Sequence, residues 1–352
     1  MIKRKKTRII NVGDIKIGGG NPIVVQSMTK TDTRDIKATV REIDKLHESG
    51  CEIVRVAIPN MDAAKAIGEI KSKITSPIPI IADIHFDWRL AIESIKIGVN
   101  GLRINPGNIG AKWKVTEVVS ACKDKGIPIR IGVNAGSLSR KILNKYGHPT
   151  PEALVESAEE HLEILESMNF RDIKVSLKAS NVMTTVEAYR IFSKRHEYPL
   201  HVGISEAGPF FTGIIKSSIG IGLLLEEGIG DTIRVSLSTD PVEEVRVAYE
   251  ILKSLDLRQK GINLISCPTC GRCSVDIKGL AKSAEEALRD IDKPITVAIM
   301  GCAVNGPGEA READIGIAGG KGFGILFKKG KVIKKVPEKE IIDTLLSSIV
   351  DK

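Results

Sequence analysis

The chain is poor in aromatic residues. Phe, Trp and Tyr together make up 4% of its 352 positions. That scarcity argues against a stacking platform for single-stranded nucleic acid, which needs ring faces at close intervals. No run of about 18 apolar residues occurs, so the sequence offers no candidate transmembrane helix and no membrane partner is expected. The N-terminal stretch MIKRKKTRIINVGDIKI is basic but lacks the apolar core of a secretory signal. A cytoplasmic location is therefore expected, and structural disulfides are rare there. Six cysteines, three of them clustered in CPTCGRC, then point to a metal. A strong charge imbalance is missing too. The net charge of +8 divides equally between residues 1–257 and residues 258–352. So mild an excess gives no case for nucleic acid, and it suits an anionic small molecule or an acidic partner protein.

What is present is a globular composition, 42% hydrophobic and 27% charged, long enough for one large domain and a smaller one. Short β-branched runs alternate with amphipathic helical runs over residues 1–257. The strand candidates are PIVVQS, EIVRVAI, PIIADIH, GLRIN, PIRIGVN, DIKVSLK, LHVGIS and TIRVSLS. Helical patterns cover 35–49, 61–73, 87–97, 111–125, 151–168, 182–195, 212–227 and 240–255. Near-continuous apolar runs are the mark of buried parallel strands. Eight βα units in about 250 residues predict a TIM (β/α)8 barrel, with a doubly wound open sheet as the alternative. The pattern changes after Leu257. INLISC, PITVAIMGC, ADIGIAGG and the KKGK hairpin of GFGILFKKGKVIKKV read as strands, and 276–290 and 337–350 as helices. Residues 258–352 thus form a smaller α/β domain. GGG at 18–20 reads as a turn.

Polar residues interrupt the apolar strands regularly. Strand side chains alternate faces, so residues two apart share one. Arg103 pairs in this way with Asn105, Arg130 with Asn134, Ser176 with Lys178, Arg234 with Ser236, Asp83 with His85, and His201 with Ser205; Arg55 stands alone in EIVRVAI. Charge inside a parallel-sheet core is costly, and the economical place for it is the barrel mouth, where TIM-barrel active sites lie. Salt bridges tying strands together account for one or two such residues, not for seven strands. Arg55, Arg103, Arg130, Lys178 and Arg234 outnumber Asp83 and Glu206, so the mouth is expected to take a strongly anionic ligand. Arginine forks match phosphate oxygens, and the Gly-rich loops NPGNIG and GVNAGSL offer backbone N–H groups to the same end. His85, Asp83 and Glu206 are candidates for proton transfer.

C-x2-C-x2-C with a remote fourth cysteine resembles the spacing of bacterial ferredoxins, and it also suits zinc. Spacing alone selects Cys267, Cys270, Cys273 and Cys302. However, GCAVNGPGEA places Glu309 seven residues after Cys302, beyond a Gly-Pro-Gly turn. A carboxylate is a harder, more exchangeable ligand to iron than a thiolate. Cys51 and Cys122 read as buried small hydrophobes.

Taken together, NPIVVQSMT, ADIHFD, LRINPGNIG, IRIGVNAGSL, HVGISEAGP, SCPTCGR and GCAVNGPGEA resemble the motifs of the 4-hydroxy-3-methylbut-2-en-1-yl diphosphate synthase family. These are iron–sulfur oxidoreductases of the methylerythritol phosphate route to isoprenoids. The resemblance spans essentially the whole chain. It implies reductive ring opening of 2-C-methyl-D-erythritol 2,4-cyclodiphosphate with loss of water. It also implies a [4Fe–4S] cluster held by Cys267, Cys270, Cys302 and Glu309, leaving Cys273 out. Substrate contacts are implied for Arg55, Arg103, Asn105, Arg130, Asn134, Lys178, Ser205, Arg234 and Ser236. Catalytic positions are implied for Asp83, His85, Glu206 and Glu309. A head-to-tail homodimer and a flavodoxin or ferredoxin as electron donor follow from the same resemblance, and the basic KKGKVIKK suits docking of such an acidic carrier. The rival readings are a non-redox TIM-barrel enzyme with a structural zinc domain and a non-enzymatic iron–sulfur sensor.

Overall fold

A computed structural model describes residues 2–350 except 272, 274, 290 and 303–309. The contact pattern divides the chain into two compact units, Met1–Arg258 and Gln259–Lys352.

The first unit opens with a hairpin, β1 (Ile10–Val12) and β2 (Ile15–Ile17). Eight further strands follow: β3 (Val24–Met28), β4 (Ile53–Ala57), β5 (Ile80–Asp83), β6 (Gly101–Ile104), β7 (Ile129–Asn134), β8 (Ile173–Lys178), β9 (His201–Val202) and β10 (Thr232–Ile233). All pair in parallel in the order β8-β7-β6-β5-β4-β3-β10-β9. The two ends of that sheet meet. Val175 N donates to Pro199 O at 2.9 Å and Ser205 N to Ala179 O at 3.2 Å, which closes the barrel between β8 and β9.

The connecting helices are α1 (Ile36–Glu48), α2 (Met61–Lys73), α3 (Trp88–Ile97), α4 (Pro106–Ile109), α5 (Lys112–Lys125), α6 (Arg140–Tyr146), α7 (Pro151–Ser167), α8 (Val182–Arg195), α9 (Phe210–Glu226) and α10 (Pro241–Ser254). Side-chain N-caps start most of them. Asp35, Asn60, Asp87, Asn181 and Asp240 each accept from a backbone N–H of the first turn. Each such cap contributes about 1 kcal/mol. The caps sit in the loops that follow strands, so they also fix the loops that frame the barrel mouth.

Two apolar clusters separate the barrel's surfaces. The larger joins the outward strand faces to the helices. The smaller lies inside the barrel's N-terminal end, where Val24, Ile53 and Ile81 meet Ile10, Val12 and Ile17 of the hairpin. The hairpin is therefore a floor. Its turn is Gly13-Asp14, with Gly13 at φ +58, a two-residue hairpin signal absent from the strand candidates read in the sequence. Each of its buried aliphatic side chains contributes roughly 1.5–3 kcal/mol. Above this floor the interior is polar.

The second unit has a five-stranded mixed sheet in the order β11 (Asn263–Ser266), β12 (Thr296–Met300), β13 (Ile315–Gly320), β14 (Phe323–Lys328) and β15 (Lys331–Pro337). The first three strands are parallel and the last two antiparallel. Helices α11 (Ile277–Leu288) and α12 (Ile341–Val350) pack Ile277, Ala284, Leu288, Ile341 and Leu345 against Val297, Ile299 and Ile317.

Candidate active site

The inward positions of the barrel carry the polar residues singled out by strand parity. Arg55, Asp83, Arg103, Arg130, Ser176 and Lys178 are all buried. Asp83 stands at the centre. Its Oδ1 accepts from Arg103 Nη1 at 3.2 Å, and its Oδ2 lies 3.5 Å from Arg55 Nε and 3.8 Å from His85 Nε2. Burial alone would raise the Asp83 carboxyl, but Arg55, the His85 hydrogen bond and Arg103 together hold it well below the usual carboxylate range. Asp83 is thus an anion that keeps two guanidinium groups in place.

Room for those groups comes from glycines. A Cβ on Gly132 of β7 would stand 2.5 Å from Arg103 Nε, and one on Gly203 would stand 2.8 Å from Lys178 Nζ. Arg130 Nη1 donates to Ser176 Oγ at 2.6 Å. Arg234 Nη2 lies 3.6 Å from Glu244 Oε2. Glu244 comes from α10, is almost wholly buried, and also accepts from Leu237 N and Ser27 Oγ. Sequence reading passed over it because a Glu in the first turn of a helix ordinarily faces water.

The cations outnumber the anions, and the interior strains under them. Burial, then the neighbouring cations, lower Arg130 and Lys178 well below their ordinary values, and burial brings Arg55 down to about 10. Among the described residues, Arg103 Nε, Arg130 Nε and Nη2 and Arg234 Nε are buried without a hydrogen-bond partner. Unpaired buried charge costs several kcal/mol. Such an arrangement persists where a ligand completes it. Lys174, an inward residue of β8 two positions before Ser176, adds a further buried basic side chain that the sequence reading left out.

The remaining positions lie around the rim. Asn105 is buried and its Oδ1 accepts from Gly107 N, capping α4. Asn134, Ser205 and Ser236 are half-buried at or beyond the ends of their strands. His85 is half-exposed, with Nε2 2.9 Å from Arg103 Nη1. Glu206 is exposed in the loop after β9, with φ +51. A non-glycine residue in that left-handed region costs about 1 kcal/mol or more, and such strain gathers at functional sites.

In the second unit the cysteines lie beyond strand ends. Cys267 follows β11 and its N donates to Ile299 O at 3.0 Å; Cys302 lies just past β12, the parallel neighbour. Cys270 is exposed, after Thr269 at φ +70. Cys273 turns the other way. Its Sγ donates to Val275 O at 3.1 Å, and a Cβ on Gly301 would come within 2.7 Å of it. Among the described residues no three His, Cys, Asp or Glu side chains stand close enough to hold a metal ion. Glu309 lies outside the described residues. The adjacent strand ends thus supply soft thiol donors on one edge, a donor set that fits iron–sulfur or zinc chemistry, and ligands of this kind are gathered by the metal they bind. Cys51 and Cys122 are buried in the barrel core, where burial pushes the Cys51 thiol up to about 12.

Comparison with known proteins extends these observations. The family model described as the GcpE TIM-barrel domain matches residues 7–249, and that of the GcpE protein C-terminal domain matches residues 263–351. The chain is 65% identical over 349 residues to the 4-hydroxy-3-methylbut-2-en-1-yl diphosphate synthase (flavodoxin) of Thermodesulfovibrio yellowstonii, covering 99% of both. It is 59% identical to the protein of that name from Geobacter sulfurreducens, covering 98% of both, and 58% identical to the one from Clostridium perfringens, covering 99% of both. Among solved structures, the dihydropteroate synthase of Yersinia pestis superposes with a TM-score of 0.50 at 12% identity, covering 70% of this chain and 98% of that one. That likeness concerns the barrel fold alone.

Proposed function

This chain belongs to the GcpE family of 4-hydroxy-3-methylbut-2-en-1-yl diphosphate synthases, and on that premise we propose that it opens the ring of 2-C-methyl-D-erythritol 2,4-cyclodiphosphate reductively, with loss of water, to give 4-hydroxy-3-methylbut-2-enyl diphosphate. The observation that carries the reading is the buried cation excess of the barrel interior, whose unpaired guanidinium donors suit a diphosphate. Arg55, Arg103, Arg130, Lys178 and Arg234 bind the phosphate oxygens. Asp83 and Glu244 orient the arginines beside them. Asn105, Asn134, Ser205 and Ser236 offer neutral hydrogen bonds nearer the rim.

Cys267, Cys270 and Cys302, with Glu309, are the residues proposed to hold a [4Fe–4S] cluster, and Cys273 is left to packing. The cluster supplies the electrons for C–O cleavage. The chain's own part is to fix the diphosphate, to exclude water from the buried cations, and to manage protons at the mouth. Glu206, held in its strained loop, carries the proton for the departing hydroxyl. His85, bridging Asp83 and Arg103, holds the second proton position.

Flavodoxin is the proposed electron donor. The β14–β15 hairpin supports this, because Lys329, Lys331, Lys334 and Lys335 are all exposed on it and present positive charge to an acidic carrier. A head-to-tail homodimer belongs to the same proposal. What supports it is the exposed apolar rim of the barrel mouth, where Phe86 is 70% and Phe211 76% exposed.

Anaerobically purified protein tests the reading. It is expected to be brown, with about four iron and four sulfide per chain, and to convert the cyclic diphosphate when given a strong reductant. A colourless protein with one zinc and no turnover overturns it.

A further inference from the structure

Beside Arg130 and toward the hairpin floor, the barrel interior carries further polar residues that the site described above does not use. Lys174 is 2% exposed and pairs in register with Arg130 of β7. Its Nζ has no hydrogen-bond partner among the described residues. The same is true of both amide atoms of Gln26 on β3, of His201 Nε2 on β9, and of Nε and Nη2 of Arg130. Lys174, Gln26 and His201 occupy inward positions of their strands toward the hairpin floor, and Arg130, a member of the cation ring, stands level with Lys174. His201 Nδ1 is already taken up by Thr232 Oγ1 at 2.7 Å.

The charged groups that act on Lys174 are Arg130 from β7, Asp231 just before β10 and Arg55 from β4; His201 of β9 feels the same cations together with Lys178 of β8. Asp231 does not answer the lysine. Its carboxylate is engaged by Arg4 and Thr7, each at 3.0 Å, and by Leu200 N at 2.9 Å. Lys174 therefore faces cations with no free anion of its own. Burial, then Arg130, bring its amine down to about 7.

We propose that Lys174 is a positioning residue of the ligand site, and that it takes up a proton from solvent when the anionic ligand settles on the arginines beside it. This rests on the reading of the barrel as a cyclic diphosphate site. Burial lowers the Lys174 amine most, and repulsion from Arg130 and Arg55 adds to it; the bound anion offsets that repulsion and attracts the ammonium, so the charged amine becomes the favoured form. The proton passes from water or buffer to the Nζ lone pair, and no bond of the ligand changes. The ligand is not the source of the effect. Each phosphorus of a cyclic diphosphate has two bridging oxygens and one ionised oxygen, with no second ionisation near neutral pH.

The test is calorimetric titration of the full chain with the cyclic diphosphate, without reductant, in two buffers of different ionisation enthalpy at about pH 8.5. The expected result is uptake of close to one proton per ligand, and affinity that falls about tenfold per pH unit between about pH 7 and 9. In Lys174→Met the uptake disappears and affinity becomes flat with pH. That substitution replaces an unpaired buried amine with an apolar chain of similar length, so the fold is retained. Lys174→Arg, charged at all these pH values, likewise shows no uptake. Uptake that persists in Lys174→Met, or binding without uptake in the unsubstituted protein, overturns the proposal. Absence of binding at every pH is a different result: the substrate reading itself then fails, and this proposal with it.

Discussion

The barrel unit holds its candidate site residues on strands, whereas the C-terminal unit holds its candidate ligands past strand ends. Arg55, Asp83, Arg103, Arg130 and Lys178 project inward from five neighbouring strands, and ion pairs and hydrogen bonds fix several of them directly. Cys267 and Cys302 sit just beyond β11 and β12, and Cys270 is exposed on a turn. The difference follows from what each site needs. A diphosphate is large and rigidly charged, so a preformed set of cations binds it without reorganisation. A metal contributes its own bonds, so its ligands can be drawn together by binding.

Substitutions that remove the proposed cluster are expected to have the largest effect and to separate the two units. Cys302→Ala should lose iron, sulfide and all measurable turnover, while binding of the cyclic diphosphate by the barrel is unchanged. Cys273→Ala should keep iron and sulfide. Loss of iron in Cys273→Ala alone reverses the assignment of the third thiolate.

Arg130→Met comes next, and its two effects have opposite signs. Ligand affinity should fall by about 2–5 kcal/mol, because a buried charged contact is lost. The ligand-free chain should become more stable by about 1 kcal/mol, a rise of roughly 2–4 °C in melting temperature, because an underpaired buried cation is gone. A fall in both quantities would mean that Arg130 is mainly structural.

Asp83→Asn should destabilise the ligand-free chain by about 3–5 kcal/mol, since it leaves Arg55 and Arg103 without their counter-charge. The pH dependence follows from the lowered carboxyl of Asp83. Its contribution is complete above the unfolded value of about 4 and disappears as the pH falls below that value. Denaturant unfolding between about pH 3 and 6 checks this, and the variant should have lost that part of the acid limb.

The smallest effect is expected at the basic hairpin. Lys331→Glu with Lys335→Glu should slow flavodoxin-driven turnover several-fold and flatten its salt dependence. Turnover with a small chemical reductant should not change. Equal losses with both reductants would remove the hairpin from docking.

Much of the fold was legible because parallel strands buried on both faces leave long β-branched runs. All eight such runs are strands of the barrel, and the patterns after Leu257 appear as β11 to β15 with α11 and α12. The floor hairpin was absent from the strand candidates because its strands, Ile10–Val12 and Ile15–Ile17, are only three residues each and lie beside a basic N-terminus. Within the site, strand parity singled out the arginines, but Lys174 has the same parity as Ser176 and Lys178 and was passed over at the start of its strand. Glu244 was hidden for another reason. It reaches Arg234 and Lys30 from a helix, and helical periodicity does not reveal which polar residue is buried against the strands. For the cysteines, spacing gave three equivalent thiols. The family resemblance left Cys273 out, and its Sγ contact with Val275 O and its place against Gly301 are consistent with a packing role.

The central claim is that the barrel's anion site is complete before any metal is loaded. Titration of the cyclic diphosphate into iron-free chain tests it most directly. The account predicts binding that is weakened by about 2–5 kcal/mol in Arg130→Met and unaffected by Cys302→Ala. Binding that appears only after iron and sulfide are restored would contradict it.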